Sequence, residues 1–182
     1  DGLLFNSIYD DLDGRNGATS LTIPTKDAIL YEKNLTIDFD VFFWRKSPFG
    51  FILSAGNEQD PNLFVLSYSD YKSQDTSFIE LTYADRPSII SIPILDKDQG
   101  WKKWKNIKLY FEMEKQRVGL SFQNQNIIWY KDGIPINNRM QFNFGATSFV
   151  TEPPRMAIKD IHINRDKKKT ILWKLDEEFG DI

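Results

Sequence analysis

Two pairs of carboxylates and one histidine are the residues of this chain whose spacing suggests acid–base chemistry. Asp38-x-Asp40 and Glu112-x-Glu114 each put two acids on one face of a strand. At a rise of about 3.3 Å per residue, the side chains of such a pair lie ~6–7 Å apart, inside the range that two-carboxylate glycoside hydrolysis uses. The same spacing arises by default on any wet strand face, where polar residues alternate with core residues. Glu114 also falls at a turn. Neither pair is therefore given a catalytic role. The single histidine, His162, follows Asp160 by two residues and is read as a half-buried strand residue. No Gly-x-Ser-x-Gly elbow accompanies it, so no nucleophilic serine is set up for a triad. One histidine and no cysteine rule out a histidine-rich or thiolate zinc site and a thiol nucleophile. Glycine-rich phosphate loops are absent too. No catalytic residue is assigned, and the chain is read as not an enzyme.

Asp10-Asp11-Leu12-Asp13-Gly14-Arg15-Asn16-Gly17 has the look of a calcium loop. The twelve-residue pattern needs glycine at its sixth position and a glutamate at its twelfth. With Gly14 at six, position one is Tyr9 and position twelve is Ser20, so two ligand positions fail. The stretch is read as a turn. The remaining chemistry lies in the aromatics, 14 Phe, 7 Tyr and 5 Trp. Flat side chains bind sugars by stacking on the C–H face of the ring, so exposed Trp and Tyr are the informative ones. Trp44, Trp101, Trp129, Tyr130, Tyr68 and Tyr71 are the candidate carbohydrate-binding residues. Trp129 and Tyr130 are adjacent, so in a strand one of them points away from the core. Trp104 and Trp173 are read as structural.

These residues must be positioned by strands. Leu35 to Trp44 alternates without a break: Ile37, Phe39, Val41 and Phe43 on one face, Asp38, Asp40, Phe42 and Trp44 on the other. Trp104 to Met113 repeats the pattern, with Ile107, Leu109 and Phe111 inward and Lys108, Tyr110 and Glu112 outward. A turn at 114–117 leads to Val118, Leu120 and Phe122 on the inward face. Further strands are read at 2–5, 19–23, 51–55, 62–68, 78–83, 88–95 and 127–131, and from Met140 to Trp173 a turn, a proline-broken crossover and a charged hairpin tip at 165–169 join the last three. Pro93 assigns its strand to a sheet edge. Lys26 to Lys33 is the one segment that suggests a helical turn. About a dozen short strands without a helix of ordinary length indicate an all-β, two-sheet antiparallel sandwich.

At 182 residues the chain suits a single domain, 1–182. With 23 basic and 26 acidic residues the net charge is -3, which supplies no basic field for nucleic acid or an anionic membrane. No apolar run reaches the ~18 residues of a transmembrane helix. The abrupt ends suggest part of a longer, multidomain protein.

Leu35 to Phe43 (LTIDFDVFF), Trp104-Lys105-Asn106-Ile107-Lys108-Leu109, Val118 to Phe122 and the closing run from Phe144-Gly145 to Trp173-Lys174-Leu175 resemble a laminin-G-like module of the concanavalin A-like lectin and glucanase superfamily. The resemblance spans about residues 1–180 and is nearest to modules in surface glycan-use proteins of Gram-negative gut bacteria. It implies a jelly-roll sandwich and an extracellular, cell-surface or periplasmic location. It implies carbohydrate binding or assistance to a neighbouring domain, so the expected partner is a glycan or an adjoining domain of the same chain. The glucanases of the superfamily carry Glu-x-Asp-x-Glu on one strand, and this chain does not. Some laminin-G-like modules hold calcium on a loop rim, for which Asp60, Asp70 and Asp75 are the candidates; otherwise no cofactor is expected. Two alternatives stay open: a structural or protein-interaction spacer packed on a neighbouring domain, and a divergent glycoside hydrolase.

Overall fold

The computed structural model describes residues 2–5, 19–23, 28–44, 49–70, 76–84, 86–94, 103–134, 136–146, 152–166 and 168–174. Its strands in chain order are β1 (Leu3–Phe5), β2 (Ser20–Ile23), β3 (Ile29–Leu30), β4 (Asn34–Phe43), β5 (Phe49–Gly56), β6 (Phe64–Ser69) and β7 (Phe78–Tyr83). They continue as β8 (Ile90–Pro93), β9 (Lys105–Glu112), β10 (Arg117–Phe122), β11 (Ile128–Tyr130), β12 (Arg139–Gly145), β13 (Met156–Arg165) and β14 (Lys168–Trp173). No helix occurs among the described residues. One sheet runs β1-β13-β4-β9-β10-β11, with β14 also on β13; the other runs β2-β12-β5-β6-β7-β8, with β3 also on β12. All pairings are antiparallel. The molecule is a two-sheet jelly-roll sandwich.

The alternation in the sequence is the cause. In β4 every second residue from Leu35 to Phe43 is buried, and β9 repeats this from Lys105 to Phe111. The inward rings of the two sheets then meet across the interior. Phe39 of the first sheet stands edge-on to Phe144 of the second, centroids 4.9 Å apart. Phe111 of the first sheet lies between Phe64 and Phe142 of the second, at 5.2 and 6.2 Å. Each such pair adds about 0.5–1.5 kcal/mol beyond the area it removes from water. Pro93 sits on β8, the outer strand of its sheet, where its missing N–H costs no ladder bond.

Two details depart from expectation. The helical turn proposed within 26–33 does not form at Ile29–Leu30, which pair instead with Met140 and Arg139 of β12. An isolated turn of helix gains one hydrogen bond for three fixed residues, so a waiting sheet edge wins. The charged hairpin tip between β13 and β14 does more than meet solvent. The Asp166 carboxylate accepts the backbone N–H groups of Glu32, Lys33 and Asn34 at 2.9, 2.8 and 3.0 Å, clamping the tip to the start of β4. Burial pushes the Asp166 carboxyl up, but these three amides together outweigh it and hold the group below its ordinary value.

Candidate functional site

The two sheets differ in what they offer to a ligand. On the second sheet the outward serines Ser54, Ser67 and Ser69 and the acid Glu80 are buried. On the first sheet the outward side chains of β4 and β9 remain half-exposed along their whole length. Its open face is therefore where the sequence's candidate groups can act.

Register sets the outward side chains in rows across the strands. Asn164, Thr36, Tyr110, Gly119 and Trp129 form one row, from β13 to β11. His162, Asp38, Lys108 and Ser121 form the next. Lys159, Asp40 and Asn106 follow, then Ala157 and Phe42. A β-bulge between Lys159 and His162 sets this order on β13. Asp160 takes a left-handed conformation there (φ 50°), which a short acidic side chain tolerates, and its N–H donates to the carbonyl of Lys174 at 2.9 Å.

The middle rows form a polar trough. The Asn106 amide donates to the Oδ1 atoms of both Asp38 and Asp40, each at 3.1 Å. Lys108 Nζ pairs with Asp38 Oδ2 at 3.2 Å. A depression of about 480 Å³ lies over Asp38, Asp40, Asn106, Lys108, Tyr110 and Ser121 and reaches the loop residues Asn124 and Gln125. A second, of about 240 Å³, continues beyond Tyr110 over Thr36, Glu112 and Asn164. Burial holds the Tyr110 phenol above its ordinary value, partly offset by Lys108, so at neutral pH it is an O–H donor.

An aromatic group bounds the trough at either end. At one end Trp129 and Tyr110 lie 5.6 Å apart, and the Arg117 guanidinium sits 3.8 Å from the centre of the indole. Arg117 is itself fixed by Glu112, Nε to Oε2 at 2.6 Å. At the other end Phe42 and Trp104 lie 5.5 Å apart, with Lys159 Nζ 4.6 Å from the Trp104 ring. Trp104 was expected to be structural through a core position; it lies instead half-buried on the open face, one residue before β9 begins.

The expected carbohydrate candidates separate. Trp129 faces outward and Tyr130 packs against the core, which resolves the adjacent pair. Trp44 is half-buried at the end of β4, its N–H donating to the carbonyl of Arg155 at 3.3 Å. Tyr68 is a correction. Only 1% of it is exposed, its hydroxyl donates to Ser77 Oγ at 2.7 Å, and burial pushes its phenol up to about 12. It points inward because Tyr68 lies in register with Gly50 and Ile79 on the interior face of β6, and it offers no face to a sugar. Trp101, Tyr71 and Asp75 lie outside the described residues. Tyr110, Asn106, Lys108 and Arg117 were not singled out from the sequence for a site. Their outward phase was legible, but only the strand register brings them beside Trp129 and Asp38.

The carboxylate pairs also resolve. Both oxygens of Asp38 are engaged, one by Asn106 and one by Lys108. A nucleophile or proton donor needs a free oxygen, which Asp38 lacks, and Asn106 ties it to Asp40 as a bridged acceptor pair. Glu112 bonds Arg117 and Lys115, and these cations, Arg117 foremost, hold its carboxyl below the ordinary range despite partial burial. That is the wrong direction for a general acid. Glu114 pairs with Lys33 at 3.1 Å instead. His162 is a half-buried strand residue, as its position implied. Among the described residues no group of three or more His, Cys, Asp or Glu could hold a metal ion. Asp60 uses its carboxylate on the N–H of Asn62 at 3.3 Å, within its own loop. Among the same residues no helix is long and apolar enough to cross a membrane.

No family model and no curated protein matches the chain. Solved structures do match its fold. A native heptameric SAP-like pentraxin from Limulus polyphemus is 12% identical with a TM-score of 0.60, over 88% of this chain and 83% of that one. A candidate carbohydrate-binding protein from Bacteroides ovatus is 11% identical with a TM-score of 0.56, over 90% of this chain but 53% of the other. The metal-free carbohydrate recognition domain of Emp46p is 11% identical with a TM-score of 0.52, over 76% and 72%. The chain thus has the concanavalin A-like jelly-roll fold of pentraxin and lectin domains. At these identities the likeness defines the fold alone.

Proposed function

We propose that this chain is a non-catalytic carbohydrate-binding module, of the laminin-G-like kind, that serves a bacterial surface protein outside the cytoplasm. The observation that carries the reading is the open face of the first sheet. There Trp129 and Tyr110 stand beside a trough of fixed acceptors and donors, Asp38, Asp40, Asn106 and Lys108. Sugars need this combination, an aromatic surface for ring C–H groups and oriented polar atoms for hydroxyls. Proteins described as carbohydrate-binding share the fold, which supports the reading. The ties of Asp38 to Asn106 and Lys108 and of Glu112 to Arg117 fit binding rather than hydrolysis.

The test is a screen of the folded protein against a broad panel of polysaccharides and host glycans, run with calcium and with chelator. A specific hit is expected, and Trp129→Ala should weaken it about tenfold or more, the scale of one lost stacking anchor. Binding unchanged in Trp129→Ala would move the site off this face. A blank panel with folded protein would favour a spacer domain that packs on a neighbour. Release of reducing sugar would revive the hydrolase alternative.

A further inference from the structure

The charges of the trough narrow the class of glycan, on the footing that the carbohydrate reading holds. Asp38 is neutralised by Lys108 at 3.2 Å. Glu112 is neutralised by Arg117 and Lys115. Asp40 has the Asn106 amide at 3.1 Å but no ion-pair partner among the described residues. The facing cation, Lys159, is turned toward the Trp104 ring and toward Asp160 Oδ2 at 3.8 Å. The trough therefore keeps one uncompensated carboxylate at its centre. An additional anion brought in by a ligand would meet Asp40 at close range and find Lys108 and Arg117 already engaged. A neutral sugar meets the opposite situation. Its hydroxyls donate to the unused lone pairs of Asp40, and its ring oxygens accept from Lys108 and the Tyr110 hydroxyl.

We infer that this face selects neutral, hydroxyl-rich glycans and rejects those bearing uronate, sialate or sulfate groups. The chain's net charge of -3 adds long-range repulsion in the same sense.

The experiment uses pairs of polymers with a common backbone: hydroxyethyl cellulose with carboxymethyl cellulose, dextran with dextran sulfate, and carboxyl-reduced with native polygalacturonate. Affinity is measured for each by titration or retardation in polysaccharide gels. Where the neutral member binds, the charged member should bind about five- to tenfold more weakly at low salt, the scale of one like-charge contact near the surface. Raising ionic strength from about 0.02 to about 0.5 M should narrow that gap, because the repulsion is screened. Asp40→Asn should narrow it as well, by removing the uncompensated charge while keeping an acceptor. A charged member that binds as tightly as its neutral partner, or a gap that ignores both salt and Asp40→Asn, would overturn the inference while the carbohydrate reading stands. Failure of every neutral polymer here and in the broad panel would remove the carbohydrate reading itself.

Discussion

Gly119 lies directly beside the indole of Trp129. A Cβ built on it would come within 2.8 Å of Cε3 and Cζ3 of that ring, and equally close to Cγ2 of Ile127. The absence of a side chain at this one position of β10 is what lets the indole of edge strand β11 lean across its neighbour toward Tyr110. Gly119→Ala must lift the ring. Because β11 is short and at the edge, the ring can move, so the cost should be about 1 kcal/mol, at the low end for overpacking. The informative readout is binding: affinity for the panel hit should fall nearly as far as in Trp129→Ala, with a shift in tryptophan fluorescence. Normal affinity in the alanine variant would show that the seated indole is not needed.

How much of this was readable in the chain follows from what periodicity encodes. The alternation through Ile37, Phe39, Val41 and Phe43 gave the inward face of β4, and so the outward face of Asp38 and Asp40. Alternation is a property of one strand, and it carries no register. That Asn106 sits opposite Asp40 is fixed by a pairing between strands far apart in sequence, and that Tyr110 sits opposite Gly119 by the geometry of the β9–β10 hairpin turn, not by alternation. Tyr68 misled for a related reason. A tyrosine beside a polar loop looks exposed, yet β6 is buried at nearly every position, so alternation gives no sign of which way the ring points. Trp104 misled in the other direction, since a tryptophan at the start of a core strand suggests burial while its phase, shared with Asn106 and Lys108, is outward. The Asp166 clamp was invisible because its three amide partners lie more than 130 residues earlier.

That clamp gives a pH prediction with a definite sign. The folded-state carboxyl of Asp166 lies below its ordinary value of 3.8, after the opposing effect of burial is overcome by the three amides. A group depressed on folding stabilises the native state above its unfolded value, and that contribution is lost as pH falls through the folded value. Asp166→Asn keeps the shape but replaces one acceptor oxygen by an amide group that faces N–H donors. At neutral pH it should cost about 1 kcal/mol, toward the lower end for charge-assisted bonds because the site is partly exposed. Denaturant melts of both proteins should show the gap wide at pH 7 and closing as pH drops below about 3.8. A gap that persisted unchanged into acid would mean the carboxylate charge contributes nothing at this hairpin.

Asn106 carries the last prediction, because its amide bridges the two acids of the trough. Its amide nitrogen reaches Asp38 and Asp40 at 3.1 Å each, and the backbone carbonyl of Phe39 at 3.4 Å. Asn106→Asp keeps the volume and exchanges the shared donor for a third carboxylate, with Lys108 the one cation paired in the group. Three acceptors lose their hydrogen bond and three like charges face each other, which should cost about 1–3 kcal/mol at neutral pH. Salt separates the two contributions. The repulsive part should shrink between about 0.1 and about 1 M sodium chloride, as the screening length falls from about 10 to about 3 Å, while the lost hydrogen bonds stay lost. Thermal melts across that salt range should therefore bring Asn106→Asp part of the way back toward the parent protein, whereas Asn106→Ala, which removes the donor without adding charge, should show little recovery. Equal salt responses in the two variants would mean that the carboxylates are not in electrostatic contact and that the trough is a looser arrangement than the shared amide implies.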